Sequence, residues 1–355
     1  FWISSICLIF FQITWVIVFF NSFSFTNIFQ VLGQNYYSRL ETNFESSIPI
    51  MQFRTLFWGI TLFSYPIGFL FFPRMPVLDK VQLLLTVFID VFASLNMGVS
   101  KNIGDIVIVF VAMTLLKYCT ETRGSGNIRR YKGNTKKVVF AIAVFLLIFA
   151  TVQNLRGDVG TVRINPYGQF ASINDHAIYY ILFGENNFIV NMLDNIGAYV
   201  SHSYTGLAYA LELPFETTYG IGFSRSLMEY AEQYLHIPLS DYTYNARIDS
   251  LYGWHDGQWW PTAFTWIANS VSFWGVPIVM FLLGALVRHL EDDYANNGNI
   301  VSAVMYGQML ITLIYLPCNM QIFQARTSLW GMIMLIFFWI FRFRYFRFNL
   351  RSGSE

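Results

Sequence analysis

Four arginines carry the strongest chemical signal in this sequence. Arg225 and Arg247 lie in a long polar segment, 155–261. Arg326 follows Pro317-Cys318-Asn319-Met320-Gln321, and Arg54 opens an apolar run. A guanidinium is planar, always charged and able to hold phosphate through paired donors. Converging on one vestibule, such groups suit a lipid diphosphate headgroup. The competing account for each is an ion pair with a nearby carboxylate, or an aliphatic stem that snorkels to an interface.

His202 stands in Tyr199-Val200-Ser201-His202-Ser203-Tyr204-Thr205-Gly206-Leu207. Flanked by hydroxyls, its imidazole could bond a sugar hydroxyl or act as a general base. A structural histidine bonded to a backbone carbonyl is the simpler account. Pro214-Phe215-Glu216-Thr217-Thr218-Tyr219-Gly220-Ile221-Gly222-Phe223-Ser224 reads as a turn followed by a helix capped at Ser224. The amides at that helix start could hold an anion, with Arg225 just behind; a simple turn is the alternative. Trp254-His255-Asp256-Gly257-Gln258-Trp259-Trp260 suits stacking on sugar rings, and equally an aromatic belt at a membrane boundary. The histidines are not at ligand spacing and there is no C-x-x-C, so neither a metal nor a disulfide framework is expected.

The elements that position these residues follow from composition. Of 355 residues 55% are hydrophobic, 19% aromatic and only 12% charged, with mean hydropathy +0.45. Soluble domains carry roughly twice that charge, which excludes a soluble enzyme of this size and a disordered chain. Apolar runs fall at about 1–20, 52–72, 81–97, 103–119, 138–154, 262–287, 300–317 and 327–341. At about 20 residues per span the chain reads as an all-α, polytopic integral membrane protein. It has about eight transmembrane helices around one membrane-embedded domain, 1–355. The third and fourth runs are short, which suits either spans of little tilt or a tight hairpin at 95–102. The chain opens on Phe1 inside an apolar run, so the first span is open to being clipped or preceded by others. Residues 1–20 lack the basic start and small-residue cleavage site of a signal peptide.

Lysine and arginine in short loops set orientation. Segment 120–137 carries Arg123, Arg129, Arg130, Lys132, Lys136 and Lys137 against Glu121 alone, and the tail 342–355 carries Arg342, Arg344, Arg347 and Arg351. Both read as cytoplasmic and agree after four crossings. The same counting puts 155–261 and the starts of the spans at Arg54 and Arg326 outside. Segment 155–261 holds eleven acidic residues, four arginines, no lysine and four of the five histidines. Loops this long are usually functional. Ile178–Phe183 and Ile196–Leu211 read as helices at the interface or re-entering the membrane, and glycines and prolines divide the rest into short helical pieces. The basic runs are explained by topology, so nucleic acid is not an expected partner.

Several stretches together resemble the bacterial Wzy-type O-antigen (oligosaccharide repeat-unit) polymerases. They are Gly98-Val99-Ser100-Lys101-Asn102-Ile103-Gly104-Asp105; His202-Ser203-Tyr204-Thr205-Gly206-Leu207; Pro214-Phe215 with Thr218-Tyr219-Gly220-Ile221-Gly222-Phe223-Ser224; and Arg247. Thr265-Trp266-Ile267-Ala268-Asn269, Phe273-Trp274-Gly275-Val276, Pro317 and Asn319 continue the series to Arg326. Family members often have Asp where Ser270 stands, and usually more than eight spans. The resemblance implies a GT-C-like membrane glycosyltransferase of the inner membrane, with a periplasmic site and no metal, nucleotide sugar or other cofactor. It would move a growing glycan from one undecaprenyl diphosphate carrier onto a new lipid-linked repeat unit, with membrane lipid around it. A chain-length regulator and a flippase of the same pathway are the implied protein partners.

On that resemblance Arg225, Arg247 and Arg326 neutralise the donor diphosphate, and His202 contacts the acceptor hydroxyl or the donor. Glu212 or Asp256 is the reserve base, and Trp254 and Trp260 line the glycan path. Tyr204, Tyr219, Asn319 and Arg54 complete the substrate-binding candidates. Three other readings stand beside it. An O-antigen ligase would share the chemistry but use a lipid A core as acceptor. A lipid-linked oligosaccharide flippase or other transporter should spread charges through its spans, where here Asp90 and Asp105 are the main ones. A scaffold for glycan assembly leaves the outer arginines unexplained.

Overall fold

The computed structural model describes residues 1–20, 48–125, 131–157, 174, 176–184, 188–255 and 259–341. The described residues are helical, with no strand among them. They form two compact units. Unit 1 takes Phe1–Thr161, Leu286–Ile311 and Trp330–Glu355, and unit 2 takes Val162–Ala285 and Thr312–Leu329.

In unit 1, α1 (Trp2–Phe20), α2 (Pro49–Thr61), α3 (Ser64–Phe71), α4 (Val77–Asn96), α5 (Lys101–Ser125) and α6 (Tyr131–Gly157) follow one another. The run expected at 52–72 is two helices, broken at Leu62–Phe63 ahead of Pro66. The tight hairpin expected at 95–102 is present. Gly98 takes a left-handed φ of 63°, and Val99 N–H closes the helix end on the Ser94 carbonyl at 2.8 Å. The segment expected as a loop at 120–137 is mostly helix, because α5 runs on to Ser125 and α6 begins at Tyr131. Its residues 126–130, like the basic tail 342–355, lie outside the described residues. Trp15, Val16, Met51, Ala93 and Met97 pack one core of this unit.

Unit 2 contains α7 (Ile178–Phe183), α8 (Phe188–Leu211), α9 (Arg225–Leu235) and α10 (Tyr244–Tyr252). α11 (Ala263–Asn297) begins in unit 2; α12 (Ile300–Ile314), α13 (Gln321–Gln324) and α14 (Arg326–Phe341) follow it. The two helices expected within 155–261 are therefore formed. The breakers act through backbone geometry: Gly184 and Gly253 take positive φ (76° and 69°) just past α7 and α10. Tyr179 and Tyr180 hydroxyls both donate to the buried Asp194 carboxylate, at 2.9 and 2.6 Å, and so fasten α7 to α8. α11 is not one straight rod. Ser272 interrupts it with φ 60° and ψ 169°.

Among the described residues four stretches are long and apolar enough to cross a membrane: Trp2–Phe20, Pro49–Arg74, Lys101–Thr120 and Ala263–Asn297. Ile300–Ile314 and Arg326–Phe341 are apolar but shorter. The outer surface of α11 fits a lipid environment, since Trp274 is 92% and Phe281 75% exposed. Water would oppose so much open apolar area.

Candidate functional site: a buried asparagine hub in unit 2

Asn269 organises the polar interior of unit 2. It is 1% exposed, and its amide is used at both ends. Oδ1 accepts the Tyr244 N–H at 2.8 Å. Nδ2 donates to Asn245 Oδ1 at 3.0 Å and to the Gly222 carbonyl at 3.2 Å. The Asn269 carbonyl in turn accepts from Thr218 Oγ1 at 2.6 Å. Ser270 Oγ, one residue on, takes the Phe223 N–H at 2.9 Å. One turn of α11 thus fixes both the 218–223 loop and the start of α10. A buried polar group must find such partners or cost free energy.

The loop has little room to vary. A Cβ on Gly222 would lie 2.3 Å from Thr218 Oγ1 and 2.7 Å from Asn269 Cβ. Gly222 N–H also donates to Thr218 Oγ1, at 3.0 Å. Tyr219 and Gly220 carry the turn through positive φ (53° and 84°). As the sequence predicts, Ser224 then caps α9, its Oγ accepting from Leu227 N–H. That hydroxyl also donates to the Phe323 carbonyl at 2.6 Å, and Ser226 Oγ to the Gln324 carbonyl at 3.0 Å. α9 is anchored in this way to the segment that leads into Arg326.

The arginines sit on these elements, each beside named partners. Arg247 donates from Nη1 to Glu216 and from Nη2 to the Pro214 carbonyl, both at 2.8 Å, and from Nε to the Thr243 carbonyl at 3.4 Å. Its guanidinium also lies 5.0 Å from the Tyr244 ring centre. Arg326 donates from Nε to Glu229 at 3.1 Å and lies 5.0 Å from the Tyr230 ring centre. Arg225 lies over Trp266 at 5.7 Å, one helical turn from Glu229. The carboxylate pairing foreseen as the competing account is realised for Arg247 and Arg326. Arg54 belongs to unit 1, where it is 5% exposed and held between Trp15 (4.9 Å) and Trp58 (4.7 Å).

His202 is 9% exposed. Its Nδ1 is 2.5 Å from the Ala198 carbonyl. A carbonyl only accepts, so Nδ1 carries the proton and Nε2 holds the lone pair of the neutral ring. Burial pushes the His202 pKa down, against a smaller opposite pull from that hydrogen bond. The ring packs edge-on against Trp260 (5.6 Å) and stacks towards Trp254 (6.4 Å). Trp254 is only 1% exposed. It belongs to the core, wedged so closely that a Cβ on Gly206 would lie 2.8 Å from its Nε1. This corrects its placement along an open glycan path; Trp260 is half-buried.

Among the remaining candidates, Tyr204 and Tyr219 are open to the surroundings, at 45% and 78% exposure. Glu212 accepts from the Tyr252 hydroxyl at 3.0 Å. Asn319 Oδ1 accepts its neighbour's amide, Met320 N–H, at 2.7 Å. Ser203 Oγ bonds the Pro317 carbonyl. Segment 317–326 therefore runs from the turn of α8 that bears His202 to the start of α9. Asp256 lies outside the described residues. No three His, Cys, Asp or Glu side chains among the described residues gather closely enough for a metal ion.

No family model matches the chain, and searches of curated proteins and of solved structures give no match either. The sequence reading missed Asn269 as the centre of the site, together with Thr218, Asn245, Glu216 and Glu229. One local signal was available: Thr218 and Gly222, four apart around two turn residues, favour a side-chain-capped loop.

Proposed function

We propose that this chain is a Wzy-type oligosaccharide repeat-unit polymerase, a GT-C-like glycosyltransferase of about eight spans in a bacterial inner membrane. One observation supports the reading above others. The sequence stretches that carry the resemblance are far apart along the chain, yet 218–224, 243–247 and 265–270 are joined through Asn269. Arg225, Arg247 and Arg326 all stand on or beside the elements so joined. In this reading unit 2 faces the periplasm.

The chemistry needs two things. An acceptor hydroxyl oxygen attacks the anomeric carbon of the donor glycan. The bond from that carbon to the undecaprenyl diphosphate breaks, and the electron pair leaves with the diphosphate. Guanidinium groups set in place beforehand stabilise that charge without reorganisation. A base takes the hydroxyl proton. His202, whose Nδ1–H is fixed on the Ala198 carbonyl and whose pKa burial lowers, is the first candidate. Glu212 is the second candidate. Tyr204, Tyr219 and Trp260 offer aromatic surface to the glycan.

The deciding experiment expresses the chain in a strain that lacks its own polymerase and resolves the lipopolysaccharide by length. A restored ladder of long chains is expected. A strain lacking only its O-antigen ligase is the second host, and rescue there but not in the first makes the chain a ligase. Purified protein must also lengthen purified lipid-linked repeat units, and failure of both assays overturns the reading.

A further inference from the structure

Unit 1 contains a cavity of about 310 Å³ that the glycosyl-transfer reading does not use. Its walls are apolar: Phe69 and Phe72, Leu83 and Val87, Phe110 and Met113. Along α5 the lining residues Phe110, Met113 and Lys117 fall on one helical face, at spacings of three and four. That face changes from apolar to cationic, and Lys137 at the start of α6 adds a second ammonium group. Lys80 brings a third, with Nζ 5.7 Å from the centre of the Phe72 ring. Among the described residues none of these lysines is paired with a carboxylate. The acid beside Lys80 in sequence, Asp79, is engaged by Trp2 Nε1 at 2.7 Å.

An apolar slot closed by two or three ammonium groups is amphipathic in a specific sense. It matches a molecule with a hydrocarbon chain and a phosphate at one end. Basic pockets between membrane helices hold anionic lipid headgroups for this reason, and each cation contributes modestly. The volume lies at the lower end of ligand pockets, enough for part of one acyl chain. A soluble anion would gain nothing from the phenyl and leucyl walls. A zwitterionic lipid would gain the walls but lose the net attraction.

We propose that this cavity binds one anionic phospholipid, with its phosphate between Lys117 and Lys137 and an acyl chain along the Phe69, Leu83 and Phe110 walls. This proposal does not depend on the polymerase reading. Full-length protein, delipidated in a neutral detergent, is titrated with phosphatidylglycerol, phosphatidylcholine or inorganic phosphate. Bound lipid is counted by native mass spectrometry, and the thermal midpoint is followed in parallel. Phosphatidylglycerol alone should bind one-to-one and raise the midpoint. The double variant Lys117→Gln/Lys137→Gln should weaken it about thirty-fold, from roughly fivefold per lysine. Val87→Trp, which fills the slot and leaves the lysines intact, should also lose the one-to-one complex. Equal binding of phosphatidylcholine, equal stabilisation by phosphate, or unchanged binding in either variant overturns the proposal.

Discussion

Replacing Asn269 by alanine should unfold unit 2 well before the wild type does. The side chain is 1% exposed and makes three hydrogen bonds, at 2.8, 3.0 and 3.2 Å. Truncation strands the buried Tyr244 amide, which costs about 2 kcal/mol, and weakens the satisfaction of Gly222 and Asn245, about 1 kcal/mol each. The sum, about 4 kcal/mol, corresponds to a midpoint lowered by roughly 10 °C for a unit of this size. Asn269→Asp should be no better. It can still accept from Tyr244, but it loses both donations and turns a buried charge towards two acceptors. The assay is intrinsic tryptophan fluorescence during heating in detergent, with wild type and variants compared at one scan rate. Adding Asn245→Ala to Asn269→Ala should cost less than the two single effects together, since the pair shares one bond. An Asn269→Ala midpoint within 2 °C of wild type, or a stable Asn269→Asp, would refute the hub.

Three further outcomes follow from named contacts. Arg247→Lys should lower stability by about 2 kcal/mol through loss of its Glu216 and Pro214 bonds, whereas Arg326→Lys should leave the midpoint nearly unchanged and reduce chain extension by tenfold or more; the two variants are compared in the same melting and extension assays. Because the His202 pKa lies below the usual 6.5, the unfolded chain takes up that proton first on acidification, so its contribution to stability is present above pH 6.5 and is lost as pH falls through the lowered value. Midpoints measured from pH 7.5 to 5.0 should therefore fall less in His202→Gln than in wild type. Ser272→Gly, at φ 60° and ψ 169°, should raise stability by about 1 kcal/mol by relieving a backbone geometry that favours glycine, and an unchanged or lower midpoint counts against the break in α11.

The helices were readable because apolar runs are local and periodic. Trp2–Phe20, the hairpin at Gly98 and the cap at Ser224 are each specified by a few consecutive residues. The break at Ser272 was not read from the apolar run at 262–287, although Pro277 follows it within the same helix. Just before the break, Asn269 and Ser270 bond Gly222 and Phe223, 47 residues earlier in the chain, and no local pattern reports that. Residue type misled at Trp254 for a related reason. A tryptophan among polar neighbours suits sugar stacking and suits a core equally, and only the absence of a side chain at Gly206 shows which role it has.

The arginines show where residue type stops being informative and bond counting begins. All four looked equivalent as phosphate ligands. Arg247 has used all three of its nitrogens and is 15% exposed, so a diphosphate could reach it only by displacing Glu216 and two carbonyls. Arg326 has committed one nitrogen, Nε, and is 30% exposed beside a Glu229 that is itself 41% exposed. Its two Nη groups keep the paired-donor geometry that phosphate recognition requires. Arg54, stacked between two indoles, is buried at 5% exposure and would have to leave both rings to meet a ligand. Within the proposed chemistry Arg326 therefore touches the leaving group. Arg247 acts on it only by holding the 214–216 segment and the start of α10 in register with Asn269.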